Sequence, residues 1–329
     1  MHDKSSRSDW SWHTPIIRPG AVESYPLNMA QNTDSVLTGR SIFVSAPDGL
    51  SLHVCEYGVA VSTKMPVVCL PGLTRTTEDF DDLAPALAAG QPPRPVIALD
   101  SRGRGQSAYD LDPKNYTPTV ELRDLIEVLN ALNIARAVFI GSSRGGILTM
   151  LLAAVQPKMI AGAVLHDIGP SIEAEGVARI KAYVGKMRQP RNLGDGAEIL
   201  RELFAAQFPK LTAEQWLGAA RRTWKAQDPK LVLTYDSALA QTLADFDIEH
   251  PLPPLWDQFD ELARVPVLVI RGANSDILSV VTAREMQKRH PDLRIVEVPD
   301  QGHVPLLDEP DLINRIVAFV ERCEYQARS

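Results

Sequence analysis

The stretch VFIGSSRGGI, from Val138 to Ile147, decides how the fold of this chain is interpreted. An apolar run leads into Gly141-Ser142-Ser143-Arg144-Gly145, which matches G-x-S-x-G, and a helical pattern follows. Between a strand and a helix, the central serine of this motif lies on a sharp turn with its hydroxyl exposed above the sheet. Ser143 is therefore the candidate nucleophile, and Ser142 is expected to point away and pack. A glycine-rich loop without chemical function is the alternative.

Around this stretch, apolar strands and amphipathic helices alternate from residue 41 onward. The segments SIFVSA (41–46) and LSLHVCEYG (50–58) flank Pro-Asp-Gly, which predicts a hairpin. Later strand candidates, such as PVVCLPG (66–72) and PVIALDS (95–101), are nearly continuous in apolar residues. Such strands between amphipathic helices predict a mostly parallel sheet that is covered by helices on both faces.

The alternation is interrupted once, which predicts the domain organisation. Residues 168–262 show only helical patterns, as an inserted helical cap would, between core segments 41–167 and 263–329. Residues 1–40 are polar with little periodicity, and we expect a loosely ordered N-terminal arm. Trp10 and Trp12 in this arm could be docked or free, and Met29 is a plausible alternative start.

Composition excludes several classes of function. The 329 residues are 45% hydrophobic and carry a net charge of -7, and no basic stripe suggests a nucleic-acid partner. The N-terminus lacks the apolar core of a secretory signal, and no apolar run reaches the roughly 18 residues of a membrane span. Three cysteines without a CxxC motif favour a reducing, cytoplasmic location. No metal-binding spacing, P-loop or dinucleotide fingerprint is present, so no cofactor is expected.

A serine nucleophile needs a base and an orienting acid. His303 and Asp276 each follow a predicted strand, at the edge where parallel sheets build sites. We therefore expect His303 as the base and Asp276 as the acid. The alternatives are an exposed loop histidine for His303 and a helix N-cap for Asp276, before the helix at Ser279. Asp167 in LHDIGP (165–170) is the rival acid.

Together these motifs resemble the α/β-hydrolase superfamily over about residues 40–323. The resemblance implies an eight-stranded, mostly parallel sheet with helices on both faces and an inserted helical cap. CLPGLTRT (69–76) is similar to the family's oxyanion loop, although Pro71 replaces the usual histidine. By similarity, the backbone N–H groups of Leu73 and Arg144 form the oxyanion hole. LDSRGRGQSAYD (99–110) is similar to a structural turn, which implies no catalytic task for Asp100, Arg102 or Ser107.

Substrate-binding residues are harder to predict. Arg75 and Arg144 could bind a substrate carboxylate bidentately, or could pair with Glu78, Asp79 or Asp167 of the chain itself. His166 could line the pocket or make a structural hydrogen bond. Aromatic and apolar residues of the cap, Trp216 among them, are expected to supply an apolar pocket.

We therefore expect a cofactor-independent serine hydrolase that cleaves a small carboxylic ester or lactone through an acyl-enzyme. Hydrolysis of a carbon–carbon bond in a meta-cleavage-type diketo acid is the alternative with the same residues. A peroxidase-like activity and a non-catalytic ligand-binding protein on the same fold are further alternatives. A serine at the centre of the motif argues against the aspartate-dependent dehalogenases and epoxide hydrolases of this superfamily. The expected partner is a small acyl substrate. The sequence does not decide between a monomer and a homodimer.

Overall fold

The computed structural model describes residues 39–59 and 62–328. Residues 1–38 of the predicted arm, which include Trp10 and Trp12, therefore lie outside the described residues. Ten strands form in the described part: β1 Arg40–Ser45, β2 Ser51–Tyr57, β3 Val67–Leu70, β4 Val96–Leu99, β5 Ala137–Ser142, β6 Ile160–His166, β7 Trp224–Gln227, β8 Lys230–Leu233, β9 Val267–Gly272 and β10 Leu293–Val298.

Eight of these strands form one sheet in the order β1-β2-β4-β3-β5-β6-β9-β10. The predicted hairpin is confirmed, because β1 and β2 pair antiparallel, and β2 also runs antiparallel to β4. The remaining neighbours pair in parallel, so the strand ends that carry Leu73, Ser143 and Asp167 meet at one edge. This edge is where ligand sites of open parallel sheets are built.

Helices cover both faces of the sheet, as the sequence predicts. Nine α-helices lie in the described residues: α1 Leu83–Ala88, α2 Pro118–Ala131, α3 Arg144–Val155, α4 Ala174–Tyr183, α5 Leu193–Phe204, α6 Ala213–Thr223, α7 Trp256–Asp260, α8 Val280–Arg289 and α9 Pro310–Arg328. One apolar core joins the sheet to α2, α3 and α8, and the other joins it to α1 and α9. Alternate side chains of β5 point to opposite faces of the sheet, so Phe139 packs in the first core while Val138 and Ile140 pack in the second.

The segment between β6 and β9 contains helices α4 to α7 together with one element that the sequence pattern missed. The helical prediction fails at Trp224, because α6 ends at Thr223 and the antiparallel hairpin β7–β8 follows. Trp224 is buried and packs with Ala197, Leu200 and Ala220 of the neighbouring helices. The extended backbone is therefore stabilised by tertiary packing rather than by a local strand pattern.

Candidate active site

Ser143 lies on a sharp turn between β5 and α3. Its φ of 48° and ψ of -110° are unusual for a residue with a side chain, and its N–H donates to the His166 carbonyl at 2.9 Å. A Cβ on Gly141 would approach the Gly145 backbone to 2.5 Å, and a Cβ on Gly145 would collide with the Leu70 carbonyl. The two glycines of the motif are thus required for α3 to start so close to the strands.

The Ser143 side chain begins a hydrogen-bonded chain of three groups. Ser143 Oγ lies 2.8 Å from His303 Nε2, and His303 Nδ1 lies 2.8 Å from Asp167 Oδ2. His303 follows β10 in the loop that the sequence predicted, and its side chain is only 6% exposed. The arrangement places a hydroxyl, an imidazole and a carboxylate in the order that activates a serine for nucleophilic attack.

The other contacts of Asp167 determine which histidine nitrogen carries the proton. Asp167 Oδ1 accepts the Gly272 N–H at 2.8 Å, and Oδ2 accepts the Ser275 hydroxyl at 2.6 Å. These donors belong to the end of β9, and the Asp167 carboxylate is completely buried. An ionised carboxylate only accepts hydrogen bonds, so His303 donates from Nδ1 and its Nε2 is left to accept the Ser143 proton.

The prediction of Asp276 as the acid is wrong in this structure, because His303 bonds to Asp167 instead. Its carboxylate accepts two hydrogen bonds from Arg179 of α4, at 2.5 and 2.8 Å. Although partial burial opposes it, this guanidinium holds the pKa of Asp276 below its usual value. The N-cap alternative is also wrong, because Ser279 itself caps α8 by accepting the Thr282 N–H.

Asp167 takes the position instead, at the end of β6, where Gly272 and Ser275 donate to its carboxylate. Strand β6, which ends just before Asp167, is the direct neighbour of β5, whereas β9 lies one strand further away. Asp167 adopts a φ of 53°, which turns the chain at the end of β6. In the sequence, the position of Asp167 directly after a predicted strand, in LHDIGP, is the one indication that it could serve as the acid.

The two arginines proposed for carboxylate binding are both engaged within the chain. Arg75 donates to both oxygens of Asp79, with Nε at 2.8 Å, and to Thr223 Oγ1 at 3.2 Å. Arg144 donates to Glu121 Oε2 at 2.8 Å, a partner that the sequence did not suggest. Both observations favour the structural alternative, in which each guanidinium pairs with a carboxylate of the protein itself.

Two backbone amides near Ser143 are free to act as donors. The Arg144 N–H belongs to the first residue of α3, where a helix leaves its amides unpaired. Leu73 follows Gly72, at which an added Cβ would lie 3.6 Å from Ser143 Cβ. Within residues 39–59 and 62–328, neither the Leu73 nor the Arg144 N–H donates a hydrogen bond.

A cavity lined by His303 is bounded by the segment between β6 and β9. Arg75, His166 and Trp216, the predicted substrate-binding residues, all line it. Much of its wall is apolar and comes from α4 to α6, including Tyr183, Met187, Leu200, Phe204, Phe208, Leu211 and Trp216. Ser142 also lines it rather than pointing away, and its Oγ lies 3.1 Å from His166 Nδ1. Burial lowers the pKa of His166 to about 4, so this imidazole is neutral at pH 7.

The turn after β4 uses its polar residues to hold itself together. Asp100 accepts the N–H groups of Thr77 and Gln106, and Ser107 donates to the Asp100 carbonyl at 2.5 Å. Asp100 also lies 2.7 Å from His53 Nδ1, while His53 Nε2 lies 2.9 Å from Ser41 Oγ. Arg102 donates two hydrogen bonds to Asp124 on α2. These contacts are structural, as the resemblance implies.

The described part of the chain offers neither a metal centre nor a helix that could span a membrane. Across residues 39–59 and 62–328, no group of three or more histidine, cysteine, aspartate or glutamate side chains is arranged to hold a metal ion. In the same part of the chain, none of the helices has the length and apolar character needed to cross a bilayer.

Comparison with known proteins places this geometry in context. The sequence pattern of the alpha/beta hydrolase family matches residues 67–316. A 3-hydroxybutyrate-oligomer hydrolase of Cupriavidus necator is 32% identical over 267 residues, which cover 78% of this chain and 87% of that protein. An esterase of Mycobacterium tuberculosis is 28% identical over 230 residues, covering 69% of this chain and 74% of the esterase.

A solved structure is similar across the same region. The crystal structure of an alpha/beta hydrolase from Novosphingobium aromaticivorans superposes with a TM-score of 0.81 and 41% sequence identity. The match covers 86% of this chain and 98% of that one. Sequence and structure comparisons therefore agree on the region that contains Ser143, Asp167 and His303.

Proposed function

The chain belongs to the alpha/beta hydrolase family, and we propose that it is a serine hydrolase that cleaves small carboxylic esters or lactones through an acyl-enzyme. The observation that carries the proposal is the chain from Ser143 through His303 to Asp167, with both hydrogen bonds at 2.8 Å. Relatives named as hydrolases and esterases support the class of reaction.

The first half of the reaction forms the acyl-enzyme. Ser143 Oγ attacks the substrate carbonyl carbon while His303 Nε2 removes its proton, and Asp167 stabilises the imidazolium. The carbonyl oxygen becomes an oxyanion, and the N–H groups of Leu73 and Arg144 donate to it. The imidazolium then protonates the leaving alkoxide, and the carbon–oxygen bond of the ester breaks.

Water completes the cycle. His303 Nε2 removes a proton from the water as its oxygen attacks the acyl-enzyme, and a second tetrahedral oxyanion forms at the same donors. Collapse of this intermediate returns the proton to Ser143 Oγ and releases the carboxylic acid. The lowered pKa of His166 keeps a second positive charge away from His303 during both steps.

The charges around the cavity favour an ester over a diketo acid. Arg75 already forms a two-pronged ion pair with Asp79, and Arg222 lies 3.6 Å from the same carboxylate. A dienoic diketo acid would have to compete for these guanidiniums, whereas the apolar wall from α4 to α6 suits an uncharged acyl group. Hydroxyacyl esters are included as test substrates because the Cupriavidus relative is named as a hydrolase of 3-hydroxybutyrate oligomers.

The test measures turnover of p-nitrophenyl esters with short and medium acyl chains, of a lactone, and of a dienoic diketo acid. We expect ester or lactone turnover, with kcat lowered by about 10⁴-fold or more in Ser143→Ala. The matched variant Ser142→Ala should retain most of kcat, because that hydroxyl is bonded to His166. Turnover of the diketo acid alone, or full activity of Ser143→Ala, would overturn the proposal.

A further inference from the structure

A buried carboxylate that the reaction does not use lies beside the proposed oxyanion hole. The Glu121 side chain, on α2, has no exposed surface and lies between two arginines. Its Oε1 is 2.9 Å from Arg104 Nη1, and its Oε2 accepts from Arg144 Nε at 2.8 Å. Burying an ionised carboxylate is costly unless cations surround it closely. The charge of Arg104 and Arg144 outweighs the effect of burial and keeps the pKa of Glu121 below its usual value.

Each arginine of this Arg104–Glu121–Arg144 cluster is connected to one of the two proposed oxyanion donors. Arg104 Nε donates to the Leu73 carbonyl at 2.8 Å, which anchors the loop that presents the Leu73 N–H. Arg144 is itself the residue that presents the second N–H, and its side chain ties the start of α3 to α2. One carboxylate thus connects both sides of the hole.

The two donors need such a connection because they come from separate segments. Leu73 lies on the loop after β3, and Arg144 begins the helix after β5. Oxyanion stabilisation depends on both N–H groups lying about 2.7–3.1 Å from one developing oxygen. A displacement of about 1 Å in either segment would lose much of that stabilisation.

We propose that Glu121 is a positioning residue that sets the separation of the Leu73 and Arg144 N–H donors. It never contacts the substrate and acts through Arg104 on one side and Arg144 on the other. This proposal rests on the proposed function, since it presupposes an oxyanion at these two amides.

The fold offers a matched control on the same helix. Asp124, one turn after Glu121, is equally buried and accepts hydrogen bonds from Arg102 at 2.6 and 2.7 Å. The Arg102 side chain otherwise contacts Asp48, which is half exposed, and Asp110. Asp124→Asn therefore breaks a comparable buried ion pair whose side chains donate no hydrogen bond to Leu73 or Glu121. Arg102 meets the cluster only through its backbone carbonyl, which accepts from Arg104 Nη1 at 2.6 Å and which the substitution leaves in place.

The experiment compares Glu121→Gln and Asp124→Asn in the full chain. Thermal unfolding sets the temperature at which both are folded, and kcat, KM and the Ki of a trifluoromethyl ketone are then measured. The ketone forms a hemiketal oxyanion with the serine, so its Ki reports on the hole. We expect Glu121→Gln to lower kcat by about 10- to 100-fold and to raise the Ki of the ketone by a similar factor, with KM changed less than about threefold. Asp124→Asn should leave kcat and Ki within about threefold of the wild type.

A second variant keeps the test decisive if Glu121→Gln does not fold. Arg104→Lys retains a positive charge near Glu121 but removes the Nε donor to the Leu73 carbonyl. We expect this variant to raise the Ki of the ketone more than it raises KM. Unchanged kcat and Ki in the folded variants, or equal losses in Asp124→Asn, would overturn the positioning role. If wild-type activity does not depend on Ser143, the proposed function fails instead, so the two failures are distinguishable.

Discussion

Two regions of this molecule contain a serine, a histidine and an aspartate in a hydrogen-bonded row. At the edge where β5 and β6 end, the distances from Ser143 to His303 and from His303 to Asp167 are both 2.8 Å. At the β1–β2 hairpin, Ser41 lies 2.9 Å from His53, and His53 lies 2.7 Å from Asp100. The side-chain distances alone do not distinguish these rows.

The backbone around each serine does distinguish them. Ser143 occupies a strained turn next to two free amides, and its hydrogen-bond partner His303 lines the cavity. Ser41 instead lies in the regular pairing of β1 with β2, opposite Cys55, and its aspartate holds a turn through Thr77 and Gln106. A catalytic serine requires donors for the oxyanion and space for the substrate, in addition to its base and acid.

Changing the aspartate of each row should give the largest difference between them. Asp167→Asn removes the acceptor that holds the Nδ1 proton of His303, and we expect kcat to fall by about 10⁴-fold. Asp100→Asn should leave kcat of the folded enzyme within a few-fold, while it lowers the free energy of unfolding by about 1–3 kcal/mol through lost bonds to the turn. Steady-state kinetics with denaturant unfolding would measure both effects.

A third variant extends this test to the acid that the sequence favoured. Asp276→Asn weakens the contacts with Arg179 and Gln207 but leaves the hydrogen bonds of His303 intact, so its kcat should stay much closer to that of the wild type than to that of Asp167→Asn. A loss in Asp276→Asn as large as that in Asp167→Asn would show that the hydrogen bond to His303 is not the one that matters.

A smaller effect should arise from His166, the neutral imidazole next to the first row. Its pKa is about 4 in the folded protein, against 6.5 as its ordinary value. The unfolded chain therefore binds a proton first as pH falls, and the stability gained from neutral His166 is present above pH 6.5 and lost between pH 6.5 and 4. Each pKa unit corresponds to about 1.4 kcal/mol, so the loss approaches about 3 kcal/mol.

The variant His166→Asn isolates this contribution, because asparagine keeps a polar atom near Ser142 and does not titrate. Urea unfolding of both proteins at several pH values should show wild-type stability falling more steeply between pH 6.5 and 4. Parallel curves over that range would mean that His166 is not a buried neutral base.

The sequence predicted those parts of the site that depend on local pattern. The turn around Ser143 needs glycines at fixed positions, and His303 follows the last strand, so both could be located without coordinates. From the sequence we expect Asp276 rather than Asp167, and that prediction is wrong, because both residues follow strands and only the tertiary structure brings Asp167 to His303. The hairpin at Trp224 was missed because packing against Leu200 and Ala220 overrides a helical pattern.

Glu121 gave no sequence signal for a different physical reason. A carboxylate on an amphipathic helix is ordinarily solvated, and only the arrival of Arg104 and Arg144 from other segments makes this one buried. The same reasoning applies to Arg144, whose side chain turns to α2 instead of the cavity. Ion pairs between distant segments are set by tertiary structure and lie beyond any local pattern.

The contrast between the two rows is tested most directly by covalent labelling of the native protein. A fluorophosphonate mimics the tetrahedral intermediate, and peptide mass spectrometry identifies the serine that it modifies. Our assignment of Ser143 as the nucleophile predicts a single adduct on Ser143 in the wild type and in Ser41→Ala, and none in Ser143→Ala. An adduct on Ser41, or a wild-type protein that stays unlabelled while folded, would contradict it.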